Sequence, residues 1–315
     1  MLSVDIIIVN WNSGRQLFNC LKAIGEVDLS DIELKSVVVV DNASRDDSHR
    51  GLENLNLPLQ IVTNLTNRGF AAACNQGALN SKADYLLFLN PDMALLKDSL
   101  QEVFKFLTQP NNLSIGILGI QLLNDLGKIC RTSARFPTPA RFIVKMIALD
   151  RIFPSIFQSH FMTEWNHKDN RDVDQVMGAF FLVRRSLFEE LGGFDERFFV
   201  YFEEVDFSLR ARKAGWKSYY LAEAQAYHKG GGTSEQVKAA RLFYSLRSRI
   251  LYGFKHFGWI SAICLMLATL FIEPVSRIVN ALTKRSGKEM IETIRGYLML
   301  WRDSPNWFRR VITKA

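Results

Sequence analysis

Four short apolar runs constrain this chain more than anything else in it. Val4–Val9 and Ser36–Val40 are rich in β-branched residues, Leu59–Thr63 is a third short run, and Tyr85–Leu89 reads YLLFL. Runs that stay apolar, rather than alternating, suit parallel strands covered on both faces. Between them Leu17, Cys20, Leu21 and Ile24 fall at helical spacing, as do Phe70, Cys74 and Ala78. Strand, helix, strand in alternation predicts an α/β sheet with right-handed crossovers. Each run ends in polar residues, and ligands of open α/β sheets bind at that carboxyl edge.

Two large function classes drop out here. No GxGxxG follows the first strand and no GxxxxGK[ST] occurs anywhere, which argues against a dinucleotide oxidoreductase and a P-loop NTPase. Further along, Ile115 to about Thr138 predicts more short strands with a turn at Asn124–Gly127. Residues 139–170 predict a long irregular loop or lid. Val176–Val183 predicts another apolar strand, 185–191 a short helix stopped by Gly192-Gly193, and 202–213 a helix ended by Gly215. Ser218–Leu221 predicts a strand and 226–232 a glycine-rich turn.

Charge separates the tail from the rest. Residues 236–315 carry 14 basic and 4 acidic side chains, against 25 and 28 in residues 1–235. The positive excess belongs to the tail, which argues against nucleic acid as a partner and towards an anionic surface such as a membrane. Within the tail, 237–254 predicts a basic aromatic helix, and 257–272 follows without a formal charge, closed by Glu273-Pro274. Sixteen uncharged residues fall short of the about 20 that a span needs. An interfacial or re-entrant helix is the favoured reading, beside a true span and a buried soluble helix. Cys20, Cys74, Cys130 and Cys264 lack metal-ligand or redox spacing and read as buried free thiols of a reducing compartment. The first apolar run has no basic residues before it and is too short for a secretory signal, so the catalytic part is expected in the cytoplasm.

Five clusters carry chemistry. Asn10-Trp11-Asn12, Asp41-Asn42-Ala43-Ser44 and Asn90-Pro91-Asp92 end successive strands. Singly each is a turn signal; together they line one crevice. A carboxylate there can accept from a nucleobase imide, and another can hold a divalent cation, since Mg²⁺ takes only one or two protein carboxylates. The fourth cluster, Phe199 to Asp206, sets Glu203, Glu204 and Asp206 at a helix start. Helix-dipole stabilisation explains acids there, but paired glutamates beside an aromatic approach suit a general base better. The fifth, Tyr227-His228-Lys229-Gly230 through Ser234, joins a histidine to glycines whose amides can cradle phosphate.

The segments VDIIIVNWNS, VVVVDNASRDDS, TNRGFAAACNQGA, YLLFLNPDM, GAFFLVRRSLFEELGGFDERFFVYFEEVDFSLRARKAGW and AYHKGGGTS occur in that order. Together they resemble the family 2 glycosyltransferases of GT-A fold, in their rhamnosyltransferase-like bacterial branch, over roughly residues 4–234. The resemblance implies a doubly wound nucleotide-diphospho-sugar-binding sheet over 1–235, with a donor half to about 115 and an acceptor half after it, and a membrane-associating helical extension over 236–315. It implies that Asn10, Trp11, Asn12 and Asp41 hold nucleobase and ribose. Asn67, Arg68, Gly69, Phe70 and Asn75 would line the nucleotide-sugar pocket. Asn90 and Asp92 would meet the diphosphate, with Mg²⁺ or Mn²⁺ on Asp92 and His228. Glu204 would be the base, with Glu203 and Asp206 as substitutes, and Gly178, Ala179 and Trp165 would lie on the acceptor side.

Two departures stand out. The metal motif has one carboxylate, Asp92, and the base motif is Glu203-Glu204 where the family has Glu-Asp. The expected reaction is inverting transfer from a nucleotide-diphospho-sugar, dTDP-L-rhamnose first among the donors and UDP- or GDP-sugars next. The expected acceptor is an oligosaccharide or a polyprenyl-diphosphate-linked saccharide at the cytoplasmic face of the membrane, and a homodimer is a possible assembly. The competing readings are a non-catalytic nucleotide-sugar-binding scaffold and another phosphate-handling α/β enzyme.

Overall fold

A computed structural model describes residues 1–52, 54–153, 156–157, 160–230 and 237–312. The chain begins β1 (Leu2–Asn10), α1 (Arg15–Gly25), β2 (Ile32–Asp41), β3 (Leu59–Thr63), α2 (Phe70–Ala78), β4 (Tyr85–Leu89), β5 (Met93–Leu95), α3 (Ser99–Leu107) and β6 (Ile115–Leu123). It continues α4 (Pro139–Met146), α5 (Leu149–Ile152), β7 (Arg171–Val173), β8 (Phe180–Arg184), α6 (Arg185–Glu190), α7 (Glu203–Lys213) and β9 (Lys217–His228). Four helices follow: α8 (Lys238–His256), α9 (Trp259–Thr283), α10 (Gly287–Arg302) and α11 (Ser304–Ile312).

The chain divides into two compact units. The first takes Met1–Arg135, Phe161–Glu196 and Glu203–Thr233, and the second takes Phe136–His160, Arg197–Phe202 and Ser234–Ala315. Among the described residues, the first unit holds one nine-stranded sheet in the order β3-β2-β1-β4-β8-β6-β9-β5, with β7 against β9. The four runs that the sequence marks as strands form its parallel half, β3-β2-β1-β4. One apolar core, under Leu17, Leu21, Leu100 and Val103, covers one face; a second, under Ala71, Phe188 and Phe207, covers the other. Helix α2 packs so closely that a Cβ at Gly77 would lie 2.5 Å from Ile7.

The four runs expected to be parallel are parallel, and beyond them the sheet is mixed. β8 runs antiparallel to both β4 and β6, and β5 and β7 run antiparallel to β9. Burial on both faces makes an antiparallel strand as uniformly apolar as a parallel one, so composition does not report direction. The strand expected at 176–183 starts only at Phe180. The turn expected at 226–232 is strand as far as His228, because Ala226–His228 pair with Met93–Leu95; Gly231 to Gln236 lie outside the described residues. The loop expected over 139–170 contains α4, started by Pro139 and by the Thr138 side chain, which accepts from the Arg141 amide at 3.2 Å.

The second unit is helical, with Phe243, Leu246, Ile250, Tyr297, Leu300 and Trp307 at its centre. Glu273-Pro274, expected to close the uncharged run, lies inside α9 instead. A π-turn at Ala268–Ile272 precedes Pro274, and such a widened turn accommodates a residue that lacks an N–H. The four cysteines are free; Cys20 and Cys74 are buried as expected, but Cys130 is half-buried and Cys264 exposed.

Candidate active site

The site is built on the carboxyl edge of the first unit's sheet. Parallel pairing sets Asn10 opposite Asp41. The Asn10 side-chain amide donates to Asp41 Oδ1 (2.8 Å), Ser48 Oγ (2.8 Å) and Ser44 Oγ (3.1 Å), and its oxygen accepts from Ser13 Oγ. Asn10 and Asp41 are 0% and 2% exposed. Asn10 is therefore spent inside the protein: it fixes Asp41, rather than facing a ligand as expected. Trp11 and Asn12 are half-buried beside it. Asn12 sits at φ +50°, a conformation asparagine tolerates. Its oxygen accepts from the Arg45 amide at 2.7 Å, and its own amide donates to Ser44 Oγ at 3.0 Å.

Asn42, one residue further, ties in the next loop. Its amide group donates to Asn67 Oδ1 (2.9 Å) and to the Gly69 carbonyl (3.2 Å), while its oxygen accepts from the Arg68 amide (3.0 Å) and Asn64 Nδ2 (3.2 Å). Asn67 Oδ1 also accepts from the Gly69 amide at 2.9 Å, just where α2 starts at Phe70. This loop leaves Arg68 exposed. Asn75 turns away from a ligand role: its amide donates to the Phe194 carbonyl (2.8 Å), and its oxygen accepts from the Phe194 amide (2.9 Å).

Asp92 and His228 come together across the β5–β9 pairing, with Asp92 Oδ2 3.4 Å from His228 Nε2. Their side chains are 12% and 14% exposed. Among the described residues no group of three or more His, Cys, Asp or Glu side chains is placed to hold a metal ion. One carboxylate and one imidazole fit a cation that draws its remaining ligands from a diphosphate and water. Asn90 holds the turn: its amide donates to the Ala179 carbonyl at 2.9 Å, and its carbonyl accepts from the Met93 amide at 3.2 Å.

The neighbouring Gly178 lies against Glu204, where a Cβ would meet the glutamate side chain at 3.8 Å. A short chain of contacts, Asp92 turn to Ala179 to Gly178 to Glu204, thus joins the metal candidate to the base candidate. Glu203 is 5% exposed, and its Oε2 has no hydrogen-bond partner among the described residues. Burial, and then the Glu204 and Asp206 charges, push its carboxyl well above the ordinary range. Burial likewise raises Cys74, with Glu203 and Glu204 adding to it. Asp206 is fully buried and accepts from Arg210 Nε at 2.8 Å, while Arg210 also donates to the Leu191 and Gly193 carbonyls. That makes Asp206 an anchor of the helix start and no substitute base. Tyr201 and Phe202, just before α7, both adopt positive φ, which bulky residues rarely do.

Trp165 was expected on the acceptor side and faces inward instead. It is 5% exposed, stacks on His167 at 4.0 Å and donates its indole N–H to Asp169 at 2.8 Å. Ala179 is 1% exposed and offers its backbone alone. Of the residues that hold the others, Ser48 and Arg210 were given no role from sequence, and Asn42 and Ser44 only a place in the Asp41–Ser44 cluster. Only Asn42 and Ser44 carried a signal, as members of an Asp-Asn-Ala-Ser turn.

Three comparisons bear on this arrangement. The chain is 25% identical over 269 residues to the N-acetylglucosaminyl-diphospho-decaprenol L-rhamnosyltransferase of Mycobacterium tuberculosis, covering 81% of this chain and 86% of that one. It is 28% identical over 171 residues to the rhamnosyltransferase WbbL of Escherichia coli, covering 54% and 61%. The mannosyltransferase PcManGT of Pyrobaculum calidifontis, solved with GDP-Man and Mn²⁺, superposes with a TM-score of 0.56 at 14% identity over 96% of this chain and 86% of that one, and gives the fold as GT-A. Residues 5–192 match the family described as Glycosyl transferase family 2, and with that match over more than half its length the chain belongs to the family 2 glycosyltransferases, as a rhamnosyltransferase-like enzyme.

Proposed function

We propose that this enzyme transfers a sugar, with inversion, from a nucleotide-diphosphate donor to a saccharide hydroxyl on a polyprenyl-diphosphate carrier at the cytoplasmic face of the membrane. The preferred donor is dTDP-L-rhamnose. The observation that carries the reading is the contact path from the Asp92–His228 pair through Ala179 and Gly178 to Glu204. It sets a group that can meet a diphosphate beside one that can accept a proton. The decaprenol-linked substrate in the mycobacterial relative's name supports the acceptor class.

In this reading Asp41 meets the nucleoside, held by Asn10, and the Asn67–Phe70 loop lines the sugar-nucleotide pocket, held by Asn42. Glu204 takes the acceptor hydroxyl proton as that oxygen bonds to the anomeric carbon, and the bond from that carbon to the diphosphate oxygen breaks on the opposite face. Asp92 and His228 would hold Mg²⁺ or Mn²⁺, which when bound neutralises charge on the leaving diphosphate. Glu203, protonated to higher pH than an ordinary carboxyl, spares Glu204 a second negative charge at its side.

Thermal stabilisation of the full chain by a panel of nucleotide-sugars, with and without Mn²⁺, tests the donor side. A metal-dependent shift with dTDP-L-rhamnose alone supports the assignment. A shift with UDP- or GDP-sugars keeps the chemistry and changes the product. No shift with any of them would overturn the reading.

A further inference from the structure

The residues just before the base candidate belong to the second unit. Residues 197–202 group there with α4 and α8, and Phe202 is followed directly by Glu203 and Glu204, which open α7. Tyr201 and Phe202 sit at φ +68° and +73°. Two bulky residues in a row in the left-handed region make strained backbone, and such backbone persists only where its surroundings over-determine it.

One face of α8 supplies most of those surroundings. The Tyr244 ring stacks on Phe199, with centroids 4.7 Å and planes 15° apart. Ser248 donates its hydroxyl to the Val200 carbonyl at 2.9 Å. Tyr252 lies 5.4 Å from the Phe202 ring, which Phe142 of α4 also meets at 6.0 Å. Steps of four residues put Tyr244, Ser248 and Tyr252 on one side of the helix. Arg247, 7% exposed, covers the stack with its guanidinium 5.7 Å from the Phe199 ring and 5.1 Å from the Tyr244 ring. Phe243, Leu246 and Ile250 of the same helix belong to the core of the second unit.

Ser248 separates this arrangement from ordinary packing. Ser208, Thr269 and Thr293 show the common use of a hydroxyl inside a helix, each donating to the carbonyl four residues earlier. Ser248 is fully buried and donates to Val200 instead. That bond orients the peptide between Val200 and Tyr201, and the orientation of that peptide is what the φ of Tyr201 describes. Past the glutamates, Asp206 and Arg210 hold α7 to the first unit's own loop at Leu191 and Gly193. The glutamates are therefore fixed along the chain on both sides.

We propose that Tyr244, Ser248 and Tyr252 are positioning residues for the transfer, holding 199–202 in the turn from which α7 starts and so setting the direction of the Glu204 carboxylate. This deepens the reading of Glu204 as the base and rests on it.

The test measures nucleotide release from dTDP-L-rhamnose by the full chain with Mn²⁺, to water or to a polyprenyl-diphosphate-linked saccharide. Ser248→Ala should lower kcat about 10–100-fold with donor KM unchanged, since misplacing a reacting group by about 1 Å costs that much. Tyr244→Ala should do the same, and Tyr244→Phe, which keeps the ring, should match the parent. The sharpest readout is the double variant S248A/E204Q. If Ser248 acts through Glu204, adding S248A to E204Q slows the reaction no further. Effects that multiply would overturn the proposal, as would a Tyr244→Phe as slow as Tyr244→Ala. Loss of donor affinity in step with kcat would overturn it too. An E204Q as fast as the parent would instead overturn the base reading beneath it. Hydrogen exchange read by mass spectrometry checks the hold without turnover: Ser248→Ala should speed exchange across 199–206 and leave β1–β4 unchanged. Equal exchange in parent and variant would overturn the proposal. Should Tyr244→Ala fail to fold, Ser248→Ala, which loses a single hydroxyl, carries the test.

Discussion

The wall of Asn10, Asp41, Asn42 and Asn67, proposed above to hold the donor, and the Glu203–Glu204 pair are both polar and largely out of solvent, yet they are finished to different degrees. At the donor wall, Asn10, Asp41, Asn42 and Asn67 answer one another in a hydrogen-bonded lattice. At α7, Glu203 is as deeply buried as Asp41 but carries an oxygen with no partner and a proton held to raised pH. A lattice with every group paired is rigid and cheap to bury; an incompletely paired carboxyl pair is costly and is kept where protons move. The wall is therefore expected to govern binding and stability, and the pair turnover.

The largest effect expected is at Glu204. Glu204→Gln should lower transfer by about 10²–10⁴-fold, the usual weight of a general base, while the thermal shift from the donor stays. Loss of donor binding in the same variant would erase the contrast with the wall. Next comes Asp92→Asn, with a fall in kcat of about 10²–10³-fold that raised Mn²⁺ partly restores. His228→Ala should move in the same direction and weaken metal dependence; metal titration of the rate separates the two.

Asn42→Ala tests the wall. It removes the acceptor of the Arg68 amide and one of two donors each from Asn67 Oδ1 and the Gly69 carbonyl, and an orphaned polar group costs about 1–3 kcal/mol when buried. The loop should loosen, and the donor Kd should rise about 10–100-fold, read by calorimetry, with kcat at saturating donor changed far less. A kcat loss as large as that of Glu204→Gln would show that wall and pair act as one unit.

Much of this layout is legible in the amino-acid order. Strand ends at Asn10, Asp41 and Asn90 follow from apolar runs that stop at polar residues, and pairing then fixes their neighbours. Strand direction is not legible, since β8 is as apolar as β4, nor is the meeting of Met93 with His228, which depends on an antiparallel register across more than a hundred residues. The inward turn of Trp165 also escapes sequence: an aromatic in a polar stretch looks like a lining residue until Asp169, His167 and Arg171 are found around it. Asn10 and Asn75 show the same limit, because residue type tells what a side chain can bond and not what reaches it first.

The smallest expected effect separates the two glutamates. Glu203 has a folded-state pKa above its unfolded value, from burial first and then from Glu204 and Asp206. Its proton therefore favours the folded state: that contribution is complete below the unfolded pKa, about 4.3, and is lost as pH rises through the folded one. Each unit of the raised pKa costs about 1.4 kcal/mol on the alkaline side. Glu203→Gln keeps the shape and removes the titration, so its Tm should match the parent near pH 4 and exceed it near pH 8. Transfer should fall only modestly, because Glu204 remains. If Glu203→Gln instead abolished transfer and Glu204→Gln spared it, the buried carboxyl would be the base and its half-buried neighbour the group that tunes it.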